Sequence, residues 1–310
     1  LMFFSGWVKL AWATPDYPEW WPEHSAMTYH YMTQPIPTWT AWWAHQLPEG
    51  IQKASIWPMY FVELVLPFFI ILGRFGRLMA AIGFAGLMLL ILATGNYTYF
   101  NWLTIVLCLP LVHDRCWPNR HRQWLKLGKP EKKDRPSRRQ VIIQLSCTAP
   151  VFLLMLLLNL QIIIGDLHRA PLPTLKKDLT PAWLDQLRAS TSPFHLASGY
   201  GLFRTMTTDR PEIIFEGSRN GLTWQAYDFG WKVDELNARP KFVAPHQPRI
   251  AWQLWFAALE RQFSPQSRNA GWVKALVLKL LNGDDSIAPL LRHNPFSDHP
   301  PKYIRARLFL

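Results

Sequence analysis

Residues 78–94 read LMAAIGFAGLMLLILAT, an apolar run that contains no charged side chain. As an α-helix rising 1.5 Å per residue, the run would be roughly 26 Å long, close to the thickness of a bilayer's hydrocarbon core. Gly83 and Gly86 lie within it and would allow a second helix to approach closely. The run therefore predicts a membrane-spanning helix.

Other apolar stretches precede and follow this run, and each is a candidate span. They comprise residues 1–13, 56–73, 99–113 and 141–164. The sequence thus predicts an α-helical multi-pass membrane bundle over residues 1–164. The chain opens on Leu1 inside an apolar run, without an initiating Met or a charged leader region. We therefore expect a fragment that lacks earlier segments.

The charged residues are distributed unevenly, and this orients the predicted bundle. Residues 114–140 contain ten Lys or Arg against three Asp or Glu, whereas residues 1–113 contain four against five. Because cytoplasmic loops of membrane proteins carry an excess of positive charge, we expect residues 114–140 to form a cytoplasmic loop. Residues 14–53 then form an outer loop, and residues 165–310 form a periplasmic or lumenal domain.

Composition narrows the possible partners. A net charge of +12 can indicate nucleic-acid binding, but a basic run between apolar segments favours a membrane. We predict the lipid bilayer as a partner and no nucleic acid. The three cysteines all precede residue 165, so the outer domain has no disulfide framework. The outer-loop histidines, His24, His30 and His45, match no standard zinc spacing, and we predict neither a metal nor a cofactor.

The outer part of the chain has the pattern of a small α+β domain. Thr180-Pro181 is typical of a helix start. Asn220-Gly221 predicts a hairpin between residues 212–216 and 222–231, with Tyr227, Phe229 and Trp231 on one face. Two amphipathic helices follow: the first has Trp252, Trp255, Phe256, Leu259 and Phe263 on one face, and the second has Trp272, Leu276 and Leu280 and ends at Asn282-Gly283. Asp285 or Ser286 would cap a third short helix, and residues 294–303 form an extended tail.

Two charged residues interrupt the apolar stretches. Lys9 is either an interfacial lysine that extends its ammonium group to the lipid headgroups or a base that faces a polar cavity in the bundle. Glu63 is either hydrogen-bonded to a neighbouring helix or part of a functional site, because an ionisable group inside a membrane is costly. The sequence leaves both alternatives open.

Residues 30–37, HYMTQPIP, are polar and aromatic and contain two prolines, which is more chemical character than a linker needs. They lie between the segment that carries Lys9 and the segment that carries Glu63. We expect them to form a lid over a cavity that those two residues share, with a structural clamp as the alternative.

A series of short motifs runs through nearly the whole chain. They are WVKL (7–10), HYMTQPIP (30–37), VELVLPF (62–68), TGNYTYFNWLT (94–104), YGLFR (200–204), MTTDRPEI (206–213), EGS (216–218), FVAPHQPR (242–249), WQLWF (252–256) and NPF (294–296). Together, this series resembles the lipase maturation factor family. Met32 and Ala251 depart from the family pattern, which usually has Glu and Asp at those positions.

The resemblance implies a multi-pass membrane protein that is not an enzyme but a chaperone-type factor. Such a factor assists the folding, maturation or secretion of client proteins such as lipases, which it holds with its outer domain. Animal members lie in the endoplasmic reticulum membrane. Because the outer domain lacks cysteine and the connections are short, we expect a bacterial inner-membrane protein. The motifs offer six candidate binding residues: Tyr31, Gln34, Asn96, Asn101, Trp252 and His246.

A more distant similarity links the membrane half to the vitamin K-dependent carboxylase. It is carried by Lys9-Leu10, since that enzyme places a Lys-Leu pair at the outer end of a membrane helix and uses the lysine as a base. This similarity implies an alternative function, a membrane-embedded enzyme that acts on a lipid-soluble substrate. Lys9, His30 and Glu63 would be its catalytic residues.

Overall fold

The computed structural model describes residues 1–113, 116, 137–167, 181–199, 201, 203–233, 237–261 and 264–310. Most of the predicted cytoplasmic loop 114–140 lies outside the described residues, as do Thr180, Tyr200, Leu202 and Phe263. The described chain is mostly helical, with a small β-sheet region near its C-terminus. Contacts group it into two compact units, one comprising residues 1–26, 50–87 and 105–206, the other residues 27–49, 88–104 and 207–310.

The helices of the first 111 residues are short except for one. They are α1 (Met2–Ala11), α2 (Ala26–Thr33), α3 (Trp39–His45), α4 (Glu49–Ala54), α5 (Ile56–Tyr60), a π-helical turn (Phe61–Val65), α6 (Leu66–Phe69), α7 (Gly73–Thr94), α8 (Phe100–Cys108) and a 3₁₀ turn (Leu109–Leu111). The predicted apolar stretch 56–73 is thus a broken helix with a π-helical turn at Glu63. Such turns are rare and often occur at functional sites.

Two helices of the described chain are long and apolar enough to cross a membrane. They are α7 and α9 (Arg138–Leu167). The most apolar 18 residues of α7 are 22% buried, and those of α9 are 6% buried. The core helix of a soluble protein is, in contrast, mostly buried. The exposed apolar side chains suit contact with lipid. Spans in α1, in the broken helix and in α8 remain predictions.

The two glycines of α7 differ in their surroundings. A Cβ atom added at Gly83 would collide with the side chain of Leu66, so Gly83 permits close packing as predicted. A Cβ atom added at Gly86 would meet nothing within 4 Å. Among the described residues, Gly86 therefore has no close packing partner, and its predicted packing role stays a prediction.

The C-terminal half contributes the remaining elements. They are α10 (Ala182–Thr191) with a 3₁₀ turn (Ser192–Phe194), β1 (Glu212–Ser218), β2 (Gln225–Ala226), β3 (Asp228–Phe229), α11 (Arg249–Leu259), α12 (Ala270–Asn282), a second 3₁₀ turn (Asp285–Leu290), β4 (Leu291–His293) and β5 (Tyr303–Phe309). All strands pair antiparallel, in the orders β2-β1-β5 and β3-β4. Their core packs Phe215 and Phe229 against Leu254 and Leu276 of the two helices.

The hairpin forms where Asn220-Gly221 predicts it, with Gly221 at φ +75°. Its second strand is short, however, because only Gln225 and Ala226 pair with β1. The long partner of β1 is β5, whose Phe309 lies opposite Glu212 and whose Tyr303 lies opposite Ser218. The segment predicted as an extended tail therefore leads into the longest strand pairing of the sheet.

Three finer predictions for this region are wrong. Trp231 is 39% exposed and does not share the core face of Tyr227 and Phe229, because the chain leaves β3 at Phe229. In the first amphipathic helix, α11, Trp255 is buried as predicted, but Phe256 is exposed, and the core contains Leu254, Ala257 and Ala258 instead. The third short helix is capped by Asp284, whose side chain accepts a hydrogen bond from the Ser286 amide.

Candidate functional site

Lys9 and Glu63 form a buried ion pair within the first unit. The distance from Lys9 Nζ to Glu63 Oε2 is 2.6 Å, and the two side chains are 7% and 4% exposed. Ser5, one turn before Lys9 on α1, donates to Glu63 Oε1 at 2.7 Å and accepts from Lys9 Nζ at 3.1 Å. The interfacial position considered for Lys9 is therefore wrong, because its ammonium group has partners inside the protein.

The close approach of two backbones makes this ion pair possible. A Cβ atom added at Gly6 would lie 2.9 Å from Glu63 Cβ and 2.9 Å from side-chain atoms of Leu64. Real Cβ atoms do not come this near to their neighbours, so α1 needs glycine at position 6 to pack on the π-helical turn. The π-helical turn directs the Glu63 side chain towards α1, where Lys9 and Ser5 donate hydrogen bonds to its carboxylate.

Trp20 covers the ion pair. Its ring centroid lies 5.3 Å from Lys9 Nζ, within the range of a cation–π contact. The indole of Trp20 donates to the Phe203 carbonyl at 2.9 Å, and the Tyr60 hydroxyl donates to the Trp20 carbonyl at 3.0 Å. Trp20 is 3% exposed. It is therefore a packed element of the site, whereas Trp42 and Trp43 are exposed.

In the second unit, protein donors bind the backbone of residues 30–37. Five successive carbonyls each accept a hydrogen bond: those of Met32, Gln34 and Pro35 from Arg210, that of Thr33 from the Trp255 indole, and that of Ile36 from the Asn96 amide. A mobile lid would leave such carbonyls to water. These contacts favour the alternative prediction, a structural clamp.

Arg210 carries most of this clamp. Its guanidinium donates to three of the carbonyls at 2.6–3.1 Å and, through Nε, to Glu212 Oε1 at 2.8 Å. Glu212 is held in turn by Lys232 at 2.9 Å, and the Lys232 side chain is 4% exposed. A planar guanidinium with five donors suits such a task. The sequence offered no local signal for it, because Arg210 is 173 positions from Pro37.

The side chains of the stretch meet in a polar network around Tyr97. The Tyr97 hydroxyl lies 3.0 Å from Gln34 Oε1 and 3.1 Å from His30 Nε2. The Gln34 amide donates from Nε2 to the carbonyls of Thr94 and Tyr31, so its Oε1 is the acceptor. The Tyr97 hydroxyl therefore donates its single hydrogen to Gln34 Oε1 and accepts a hydrogen bond from His30. His30 consequently carries a hydrogen on Nε2.

Asn96 and Asn101 are both buried and both bind backbone. Asn96 donates to the Lys241 carbonyl at 2.8 Å and accepts from the Val243 amide at 2.7 Å. Asn101 donates to the Met88 carbonyl at 3.1 Å. Asn96 is 1% exposed, so the glycosylation sequon that begins at this residue is inaccessible. Through these hydrogen bonds, Asn96 links the segment around Val243 to the segment around Tyr97.

The other predicted binding residues are placed differently. Trp252 packs its ring 6.0 Å from that of Tyr97, so it borders the network. Tyr31 is half-buried, and burial raises the pKa of its hydroxyl. His246 is exposed and lies against Trp231, 5.9 Å between ring centroids. The side chain of Met32 is 40% exposed, so the missing family Glu leaves the described hydrogen bonds of the stretch intact.

The structure thus brings the predicted residues together in two groups. Lys9 and Glu63 meet in the first unit, while His30, Gln34, Asn96 and Trp252 surround Tyr97 in the second. Residues that the sequence analysis missed as site members include Ser5, Trp20, Tyr97 and Arg210. Among the described residues, no three His, Cys, Asp or Glu side chains group as a metal site requires.

Comparison with known proteins accounts for both ends of the chain. Residues 1–119 match the lipase maturation factor transmembrane domain, and residues 196–310 match the lipase maturation factor C-terminal domain. The chain belongs to the lipase maturation factor family. It is therefore a membrane protein by family, in agreement with the exposed apolar helices α7 and α9.

Individual relatives can be aligned with all or nearly all of this chain. Lipase maturation factor 2 of Gallus gallus is 31% identical in an alignment 399 positions long, which covers 100% of this chain and 54% of the relative. Lipase maturation factor 2 of Homo sapiens is 30% identical, with the same coverage. Lipase maturation factor 1 of Mus musculus is 27% identical over 92% of this chain and 50% of the relative. The chain thus spans about half the length of these relatives, and no solved structure gives a significant match.

Proposed function

We propose that this family member is a multi-pass membrane factor that assists the folding, maturation or secretion of client proteins such as lipases. The observation that carries the proposal is the match of the two family domains to the two ends of one chain. The outer residues 165–310 would hold the client. The factor would act as a chaperone and carry out no covalent chemistry on it.

The geometry of the motif residues supports a folding factor. The HYMTQPIP stretch is bound through five carbonyls, and its histidine and glutamine bind Tyr97. Lys9 and Glu63 bind each other and Ser5. Side chains that satisfy one another in this way build a rigid scaffold for a client surface. The enzyme alternative, with Lys9 as a base, gains no support from the comparisons, and the ion pair gives Lys9 a structural role.

The test is complementation in a host that lacks its own maturation factor. The full chain is expressed beside a client lipase, and active lipase in the medium is measured per unit of lipase synthesised. We expect several-fold more active lipase than with an empty vector, while a secreted enzyme that needs no such factor stays unchanged. Equal lipase yields with and without the chain would refute the proposal.

The proposal also places the protein in a bacterial inner membrane, with residues 165–310 on the periplasmic side. The positive charge of residues 114–140 supports this orientation, and the absence of cysteine after residue 165 is consistent with the expected bacterial origin. Leu222 is 84% exposed in the hairpin, and Cys116 is exposed within the basic loop. In intact cells, a membrane-impermeant maleimide should label Leu222→Cys and spare Cys116. Labelling of Cys116 from outside would reverse the orientation.

A further inference from the structure

A cavity of about 280 Å³ lies against the C-terminal third of α9, within the first unit. Leu158 of α9 forms its apolar wall. The rest of the lining comes from α10 and the segment that follows it, namely Arg188, Thr191, Ser192, His195, Ala197, Ser198 and Gly199. The cavity thus has an apolar wall on the predicted membrane helix α9 and a basic, hydroxyl-rich wall on α10 and the segment after it.

The fold holds these walls together. Gln161 of α9 donates to Asp185 of α10 at 2.5 Å, and Leu184 is buried beside it. After α10 the chain turns at His195, which has a left-handed φ of 50°, and returns to α9, where Gly199 lies against Ile162. Arg188 and His195 are therefore carried on two segments that both pack on the same membrane helix.

The polar lining favours an anionic ligand. The hydroxyl protons of Thr191 and Ser192 are already donated to helix carbonyls. The donors left for a ligand are the guanidinium of Arg188, the ring of His195 and the hydroxyl of Ser198. No carboxylate pairs with Arg188 among the residues described. A guanidinium beside hydroxyl groups is well suited to a phosphate.

The surroundings of the cavity point to the source of that phosphate. Leu158 lies in the C-terminal third of α9, so the cavity is on the half of this helix that leads to α10. Trp183, Phe194 and Leu196 are 54%, 73% and 42% exposed on the same two segments. Exposed apolar side chains around a basic centre are typical of an element in the membrane interface, where phospholipid headgroups lie.

We propose that this cavity is a phospholipid site, in which Arg188, His195 and Ser198 bind the headgroup phosphate while the acyl chains follow α9 past Leu158. The site requires only that α9 lies in the membrane, and it is independent of any client. Residues 182–199 would then be anchored to the bilayer by a bound lipid in addition to their own apolar side chains.

The test uses the full chain in a mild detergent and counts retained lipid by native mass spectrometry. The probes are dihexanoyl-phosphatidylglycerol, inorganic phosphate, and a dihexanoylglycerol that lacks phosphate. We expect Arg188→Ala to weaken phosphatidylglycerol binding at least tenfold and Arg188→Lys to weaken it less. Arg268→Ala, which removes an exposed arginine elsewhere, is the matched control and should change nothing.

Several outcomes would overturn the site. Arg188 lies in the last turn of α10, where a cation also compensates the carbonyl end of the helix. If that is its whole role, Arg188→Ala will lower thermal stability and leave lipid binding unchanged. Equal binding of the phosphate-free lipid would make the site purely apolar, and binding of inorganic phosphate without the phospholipid would make it a phosphate site unrelated to the bilayer.

Discussion

The ammonium group of Lys9 lies 2.6 Å from the carboxylate of Glu63, on side chains that are both buried. Removing one partner of a buried ion pair leaves an uncompensated charge and costs about 3–5 kcal/mol. We expect Lys9→Met and Glu63→Met each to lower the free energy of unfolding in detergent by that amount. The double variant Lys9→Met/Glu63→Met should lose less than the sum, because no charge is stranded.

Lys274, an exposed lysine of α12, supplies the control for this double-mutant cycle. Lys274→Met should change the free energy of unfolding by less than about 0.5 kcal/mol, as surface substitutions usually do. If the variants at Lys9 and Glu63 behaved like Lys274→Met, or if their effects were additive, the ion pair would not stabilise the fold.

Gly6 and Gly86 form a matched pair of glycines in apolar helices. A methyl group at position 6 meets Glu63 and Leu64, whereas one at position 86 meets open space. We expect Gly6→Ala to destabilise the protein by about 1–3 kcal/mol through overpacking. Gly86→Ala should be neutral or slightly stabilising, since alanine favours helix. Thermal unfolding of both variants measures these effects. Equal losses of stability in the two variants would show that α1 does not need its close approach to the π-helical turn.

The Tyr97 hydroxyl links Gln34 and His30 by hydrogen bonds of 3.0 and 3.1 Å. Tyr97→Phe leaves the buried Gln34 Oε1 without this donor, at a cost of about 1–3 kcal/mol. Tyr99→Phe, at a residue that is 47% exposed, is the control and should be neutral. Hydrogen exchange provides a second readout: the amide of Asn96, which binds the Ile36 carbonyl, should exchange faster in Tyr97→Phe. Unchanged protection would mean that the side-chain network does not support the clamp.

Asp284 gives the C-terminal part of the chain a defined acid sensitivity. Hydrogen bonds from Ser286, and then Lys279, lower the pKa of its carboxyl from 3.8 to about 2. Because the folded-state value is the lower one, the ionised cap stabilises the fold above pH 4, and that contribution disappears as the pH falls towards 2. Between pH 5 and pH 2, Asp284→Asn should therefore lose less stability than the unsubstituted protein. Parallel pH profiles of unfolding would contradict this role.

Local signals in the sequence predicted local structure well. Asn220-Gly221 marks the hairpin because a tight turn needs residues that accept a positive φ, and Asn282-Gly283 ends α12 with Gly283 at φ +62°. The apolar runs at 78–94 and 141–164 give the two long helices. These features depend on neighbours within a few positions, which is the information that a single sequence contains.

Contacts between distant segments were not predictable in the same way. The paired residues of β1 and β5 are at least 85 positions apart in the sequence, and the pairing depends on a register that only the folded sheet defines. Helix α11 is buried on two sides, by the sheet core and by Ile36 with Val243, so its large aromatic residues did not reveal its core face. Tyr97 and Arg210 join the site through partners brought close only by folding.

The most direct test of the central claim follows a newly made client lipase over time. Cells that lack a native maturation factor are pulse-labelled, and the fraction of labelled lipase that becomes active and leaves the compartment is measured with the full chain or an empty vector. We expect a several-fold larger active fraction with the chain at an unchanged rate of lipase synthesis. An active fraction that is the same with and without the chain would contradict it.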